Sequence, residues 1–299
     1  MRSASTALLM MLLLSCAPAK ASPYEGCSDS AKTDRQSRAC SEIVIRGDKE
    51  TLRNRTYAYY NRGLAYYNKG QFDRAIADYD RSLTLNPTYA IAYNNRGLAF
   101  DSIGKYDRAI ADYTRSIQLN PRYAIAYYNR ANAFGRKQQY SRAIAEYGQA
   151  LKRAPRYAKA YSRRGYTHYM TGNYKAAVAD LQKRLELEVS GRAILFRYLA
   201  RWRAGAADGD ELKADAARLA DQQWPYAAIE LLLGRRTPEA TLAAARSPVE
   251  QCQASFYIGQ WYLLRQRQIS AVKALKAAVA ACPGNLTESR AARAELKRL

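Results

Sequence analysis

The 299-residue chain contains a single histidine, His168. A Ser-His-Asp or Cys-His catalytic pair would have to be built on that one side chain. Gly-x-Ser-x-Gly, P-loop, His-Glu-x-x-His and Cys-x-x-Cys patterns are all missing. Nucleophile-elbow hydrolysis, nucleotide hydrolysis and zinc chemistry therefore lack their usual residues. The expectation is a chain with no catalytic residue, cofactor or metal. Long apolar runs are also scarce. The longest, residues 7–14, falls well short of the roughly 20 residues that a membrane-spanning helix needs.

That short run has a different meaning at the N-terminus. Arg2 precedes it, and Ala19-Lys20-Ala21 stands before Ser22. A positive start, an apolar stretch and an A-x-A site make a secretory signal over residues 1–21. A second route is open, because Leu13-Leu14-Ser15-Cys16 resembles a bacterial lipobox, with Cys16 as the lipidated residue. Either route exports the chain. Export suits the remaining four cysteines, Cys27, Cys40, Cys252 and Cys282, since an even count in an oxidising compartment favours two disulfides.

Self-similarity dominates the rest. Gly63 and Gly97 are 34 residues apart, as are Gly70 and Gly104, and Pro87, Pro121 and Pro155. AYYNRG (58–63), AYNNRG (92–97), AYYNRA (126–131) and AYSRRG (160–165) recur at that interval, and so do AIADY (75–79), AIADY (109–113), AIAEY (143–147) and AVADL (177–181). Each period holds two stretches of helical periodicity split by a turn at Gly70, Gly104, Gln138 or Gly172. Small residues at Gly63, Gly97, Ala131 and Gly165, opposite Ala75, Ala109, Ala143 and Ala177, predict a tight crossing of the two helices. This pattern resembles the tetratricopeptide repeat (TPR). The resemblance implies an all-α, right-handed superhelical solenoid of stacked helix-turn-helix units with a degenerate helical C-terminal part.

Four units are expected at 56–89, 90–123, 124–157 and 158–191, behind a Cys-containing head and cap over 22–55. A degenerate segment at 192–251 reads as helices over 192–204, 210–223 and 224–233, then one opened by Pro238 and ended by Pro248. The repeat offsets return in a fifth unit at 252–285, and the polar stretch 286–299 reads as a capping helix. Cys252 starts the first helix of that fifth unit and Cys282 ends the second. An antiparallel hairpin brings those ends within disulfide reach, which leaves Cys27 to pair with Cys40. WPYAAIELLLG (224–234) and FYIGQWYLL (256–264) are similar to the NlpI-like TPR lipoproteins of Gram-negative bacteria. That likeness implies a periplasmic, outer-membrane-anchored scaffold for peptidoglycan-remodelling enzymes or envelope proteases, often a homodimer.

Net charge is +22, or about +20 once Arg2 and Lys20 leave with the signal, and residues 122–164 hold eleven Lys and Arg against the one acid Glu146. An acidic protein or peptide partner, or an anionic membrane or envelope surface, is the expectation; export argues against nucleic acid as the native partner. Some TPR domains grip a peptide's C-terminal carboxylate with lysine, asparagine and arginine on successive first helices. Asn129, Lys159 and Arg163 match those types, with Tyr128, Tyr166 and Asn95 as neighbours, while Asn94 and Leu98 depart from the pattern. The leading expectation is a non-catalytic adaptor. A basic surface-binding protein and an enzyme whose repeats only carry substrate are the alternatives.

Overall fold

The computed structural model describes residues 23–28, 33–220, 222–284 and 286–299. The expected signal segment 1–21 and Cys16 lie outside them. Every regular element among the described residues is helical: seventeen α-helices and one 3₁₀ turn. The chain divides after Pro87 into two compact units.

The first unit holds α1 (Pro23–Ser28), α2 (Thr33–Ile45), α3 (Leu52–Asn68) and α4 (Phe72–Leu85). Its first repeat starts a turn earlier than the sequence period suggests. Thr51 caps α3, its hydroxyl accepting from the Asn54 amide at 3.1 Å, so the helix is already formed when Thr56 is reached. The head is held by Cys27 and Cys40, whose Cα atoms are 4.7 Å apart at disulfide geometry. Both are buried with Ile43 and Ala58.

The second unit continues the period: α5 (Ala90–Ser102) with α6 (Tyr106–Leu119), α7 (Ala124–Arg136) with α8 (Tyr140–Arg153), and α9 (Ala158–Met170) with α10 (Tyr174–Leu187). The tight crossings are real. A Cβ placed on Gly97 would lie 2.7 Å from the Tyr113 ring, and one on Gly165 would lie 2.9 Å from Leu181. Within each repeat an arginine spans the two helices to an acid sixteen residues on. Arg62–Asp78, Arg96–Asp112, Arg130–Glu146 and Arg164–Asp180 stand at 2.6–2.8 Å, and each guanidinium also lies over Tyr59, Tyr93, Tyr127 or Tyr161. The recurring acids are thus structural, and each repeat neutralises one of its own cations.

The interhelical turn places Gly104 and Gly172 at positive φ, and Gln138 stands in the same conformation at φ 58°. A left-handed residue with a Cβ is strained by about 1 kcal/mol or more. Gln138→Gly should therefore raise stability by roughly 0.5–1 kcal/mol, after allowing for glycine's greater freedom when unfolded. Chemical denaturation of the two proteins side by side will show it; an unchanged or lower midpoint would mean that Gln138 makes compensating contacts.

Beyond the regular repeats come α11 (Gly191–Arg203), α12 (Gly209–Ala216), α13 (Tyr226–Leu232), α14 (Pro238–Ala243), α15 (Pro248–Leu264), α16 (Gln268–Ala281) and α17 (Thr287–Leu296). Two readings need correction. The helix expected over 210–223 ends at Ala216, where the Arg218 and Leu219 amides turn to carbonyls three residues back. Pro248 opens a helix instead of ending one: Ser247 caps α15, Glu250 reaches back to the Arg246 amide, and proline suits the first helical position. Cys252 consequently lies in the second turn of α15, and it still meets Cys282 at the C-cap of α16 with a Cα separation of 5.1 Å.

The last helix hides much of its polar composition: Thr287, Glu288, Ser289 and Glu295 are all 0–2% exposed. α17 packs on α16, α15 and α9. The polar residues face inward because arginines on α11 meet them there: Arg192 pairs with Glu288 and Arg203 with Glu295.

Candidate functional site

The first helix of the fourth repeat, α9, carries Lys159, Ser162, Arg163 and Tyr166 on one face, at helical spacing. That face borders a cavity of about 540 Å³. Tyr128 from α7 lines it on one side, while Trp224, Gln253 and Tyr257 come from the degenerate C-terminal part, and α17 adds Glu288. Among the described residues four cations reach the cavity, Lys159, Arg163, Arg184 and Arg192, against one carboxylate, Glu288.

Their pairing separates them. Arg192 Nε contacts Glu288 Oε1 at 2.9 Å, and Gln253 and the Tyr257 hydroxyl donate to the same oxygen at 3.2 and 3.3 Å. Arg184 is held by Glu188 at 3.3 Å. Arg163 has no carboxylate partner among the described residues. Its guanidinium donates to Thr287 Oγ1 at 3.3 Å and to the Tyr128 hydroxyl. Lys159 is exposed at the rim and makes no ion pair with a described residue. The arrangement offers a half-buried guanidinium and an exposed ammonium to an incoming anion, with the Tyr128 ring beside them. Tyr166 is only 5% exposed and packs against Phe196; burial raises its pKa, so it stays a neutral phenol.

Two of the expected clamp residues are elsewhere. Asn129 is 7% exposed, and its Nδ2 donates to Asn94 Oδ1 at 2.9 Å; Asn94 in turn donates to Asn95 Oδ1 at 3.1 Å. Neither Asn129 nor Asn95 lines the cavity. The cause lies in the second repeat, where an asparagine replaces the clamp's lysine. The two amides satisfy each other across α5 and α7, and Asn129 is spent on packing. Lys159, Arg163, Tyr128 and Tyr166 are brought together as the sequence suggested. Arg192, Trp224, Tyr257 and Glu288 were not foreseen, and no motif in the sequence announces them.

The basic stretch is less free than its composition suggests. Among its cations Arg130, Arg136, Lys137 and Arg164 are ion-paired, with Glu146, Asp101, Asp107 and Asp180. Arg142 and Arg153 lie over the Phe134 and Tyr127 rings at 4.0 Å. His168 packs where the other repeats carry an aromatic residue. Burial lowers its pKa against the pull of Asp180, whose Oδ2 is 4.0 Å from Nε2.

A tetratricopeptide-repeat family model matches residues 56–89 and again 90–123, and a second tetratricopeptide-repeat model matches 128–187. Among solved structures, a tetratricopeptide repeat protein from Parabacteroides merdae superposes with a TM-score of 0.56 at 15% identity, over 91% of this chain and 98% of that one. The C-terminal part of a TPR repeat-containing protein from Cytophaga hutchinsonii gives 0.53 at 17% identity, over 86% and 93%. A MamA protein gives 0.50 at 24% identity, over 56% and 97%. These likenesses concern the fold alone. No curated protein matches the chain. Motif, helix pairing and family model agree on one point: this chain carries tetratricopeptide repeats at 56–89, 90–123 and 128–187.

Proposed function

We propose that this chain is a non-catalytic binding scaffold of the bacterial cell envelope, which holds a partner by an acidic C-terminal peptide in the cavity beside α9. The observation that carries the reading is Arg163, a half-buried guanidinium with no carboxylate partner among the described residues, one helical turn from the exposed Lys159 in a cavity of peptide size. A terminal carboxylate supplies the missing charge and accepts bonds from both. TPR domains in general bind peptides and proteins, which supports the reading at its coarsest level. The N-terminal signal-like segment and two cysteine pairs at disulfide distance support export to the periplasm, with or without a lipid at Cys16. The NlpI-like segments 224–234 and 256–264 support a role in organising peptidoglycan-remodelling enzymes or envelope proteases. They bear directly on the site, because Trp224 and Tyr257 line it.

The test is a peptide recovered from an envelope-extract pull-down, titrated as free acid and as C-terminal amide. Lys159→Ala with Arg163→Ala should weaken the acid form by about 2–4 kcal/mol, since each charge-assisted bond contributes roughly 1.5–3. Amidation should cost the wild type a similar amount and the double variant little. Equal binding of acid and amide by the wild type would remove the carboxylate from the reading. Circular dichroism of the double variant checks that the loss is local.

A further inference from the structure

α17 lines a second cavity, of about 550 Å³, together with the α7–α8 turn and the C-terminal end of α9. Among the described residues five cations border it, Arg136, Arg290, Arg293, Lys297 and Arg298, and no carboxylate does. Two of the five are committed elsewhere. Arg136 pairs with Asp101 at 3.2 Å. Arg298 pairs with Glu295 at 3.0 Å and donates to the Tyr169 and Met170 carbonyls. The other three have no ion pair with any described residue. Spaced three and four apart along α17 and its C-cap Lys297, they share one side of the helix.

Arg290 is the most informative of the three. Its Nη1 donates to the Gly135 carbonyl at 3.3 Å, but its Nε is buried with no hydrogen-bond partner. Burial, with the Arg163 guanidinium nearby, pushes its pKa down. A partly desolvated cation with an unmet donor and a like charge beside it is costly to hold, and an anion in the cavity would offset both the desolvated charge and the like-charge repulsion. The number of uncompensated charges selects the chemistry. One carboxylate offsets one charge. A phosphoryl or diphosphoryl group offsets two or more, and its oxygens suit guanidinium forks.

We propose that this cavity binds a phosphate-bearing anion, with Arg290 and Arg293 donating to phosphoryl oxygens and Lys297 adding charge at the rim. The site is separate from the peptide cavity beside α9 and independent of the function proposed for it. The chemistry is shared by soluble phosphate esters and phospholipid head groups, so the test has an arm for each.

The full chain is titrated with pyrophosphate in a calorimeter, beside Arg293→Gln/Lys297→Gln and Lys159→Ala. Arg293 and Lys297 are exposed, so the double variant keeps its fold, which its circular dichroism verifies. The expected result is saturable binding, weakened about tenfold for each lost cation, weakened further by added salt, and unchanged in Lys159→Ala. In the second arm the chain is floated with vesicles of phosphatidylglycerol or of phosphatidylcholine. Capture by phosphatidylglycerol alone, competed by pyrophosphate, makes the source a lipid head group; no capture, with pyrophosphate binding retained, makes it a soluble ester. Absence of saturable pyrophosphate binding, or equal binding by the Arg293→Gln/Lys297→Gln variant, overturns the proposal.

Discussion

Replacing Glu295 by alanine is expected to destabilise the second unit by about 3–5 kcal/mol, the usual cost of stranding one member of a buried ion pair. The carboxylate is fully buried. Arg203 and Arg298 pair with it, and the Tyr169 hydroxyl donates to Oε1 at 2.9 Å. Burial and the adjacent carboxylate hold the Tyr169 phenol well above its ordinary pKa, so it remains a donor across the physiological range. Removing Glu295 leaves the part-buried Arg203 without a carboxylate, with one of its donors, Nε, already unmatched. Replacing both partners, as Glu295→Leu with Arg203→Met, should recover much of the loss, because Arg203 is then not stranded, while Arg298, 27% exposed, keeps its bonds to the Tyr169 and Met170 carbonyls. Urea unfolding followed by tryptophan fluorescence measures both. A single variant within 1 kcal/mol of the wild type would mean that water reaches the pair on relaxation. The exposed Lys183–Glu186 pair, at 60% and 45% side-chain exposure, is the contrast. Its loss should leave the unfolding midpoint unchanged, because water screens the pair.

The second large effect is expected at the Cys252–Cys282 link. Closing a loop of 30 residues limits the unfolded chain by about 3–4 kcal/mol in the entropy model. Cys252→Ala with Cys282→Ala should lower stability by that amount, and a reducing agent, which also opens Cys27–Cys40, should lower the wild type at least as far. The Cys27–Cys40 link closes only 13 residues and should contribute about 3 kcal/mol. Mass mapping of unreduced protein identifies both links. Identical unfolding curves with and without reductant would show that the thiols are free. The α15–α16 hairpin also carries Gln253 and Tyr257 into the peptide cavity, so reduction should weaken peptide binding as well as stability.

These two sites also mark how far residue order can be read. The 34-residue period was enough for the repeats, for the glycine-to-ring crossings such as Gly97 on Tyr113, and for the left-handed turn at Gln138. Their determinants lie within one unit, at offsets of a few residues to half a repeat, where helix geometry leaves little choice. The cysteine pairing was legible for the same reason, since a helical hairpin returns the chain to its starting end. Lys159 and Arg163 could be placed on one face because they are four apart on one helix. Asn129 could not be judged that way. Its role depended on Asn94 across the neighbouring repeat, and an amide has no preference between a ligand and another amide until its surroundings are known.

What the three-dimensional packing alone decided is the role of the C-terminal helix. Glu288 and Glu295 lie about a hundred residues from the arginines of α11 that bury them. Nothing local distinguishes them from solvated acids on a polar helix. A glutamate turns inward only where a cation, a phenol or an amide compensates its desolvation, and those groups arrive from α9, α11 and α15 once the chain has folded back on itself. The same return brings Arg290, Arg293 and Lys297 to the interhelical turn of the third repeat and Glu288 to the peptide cavity. Periodicity reports which residues share a helix face; long-range packing determines what that face meets.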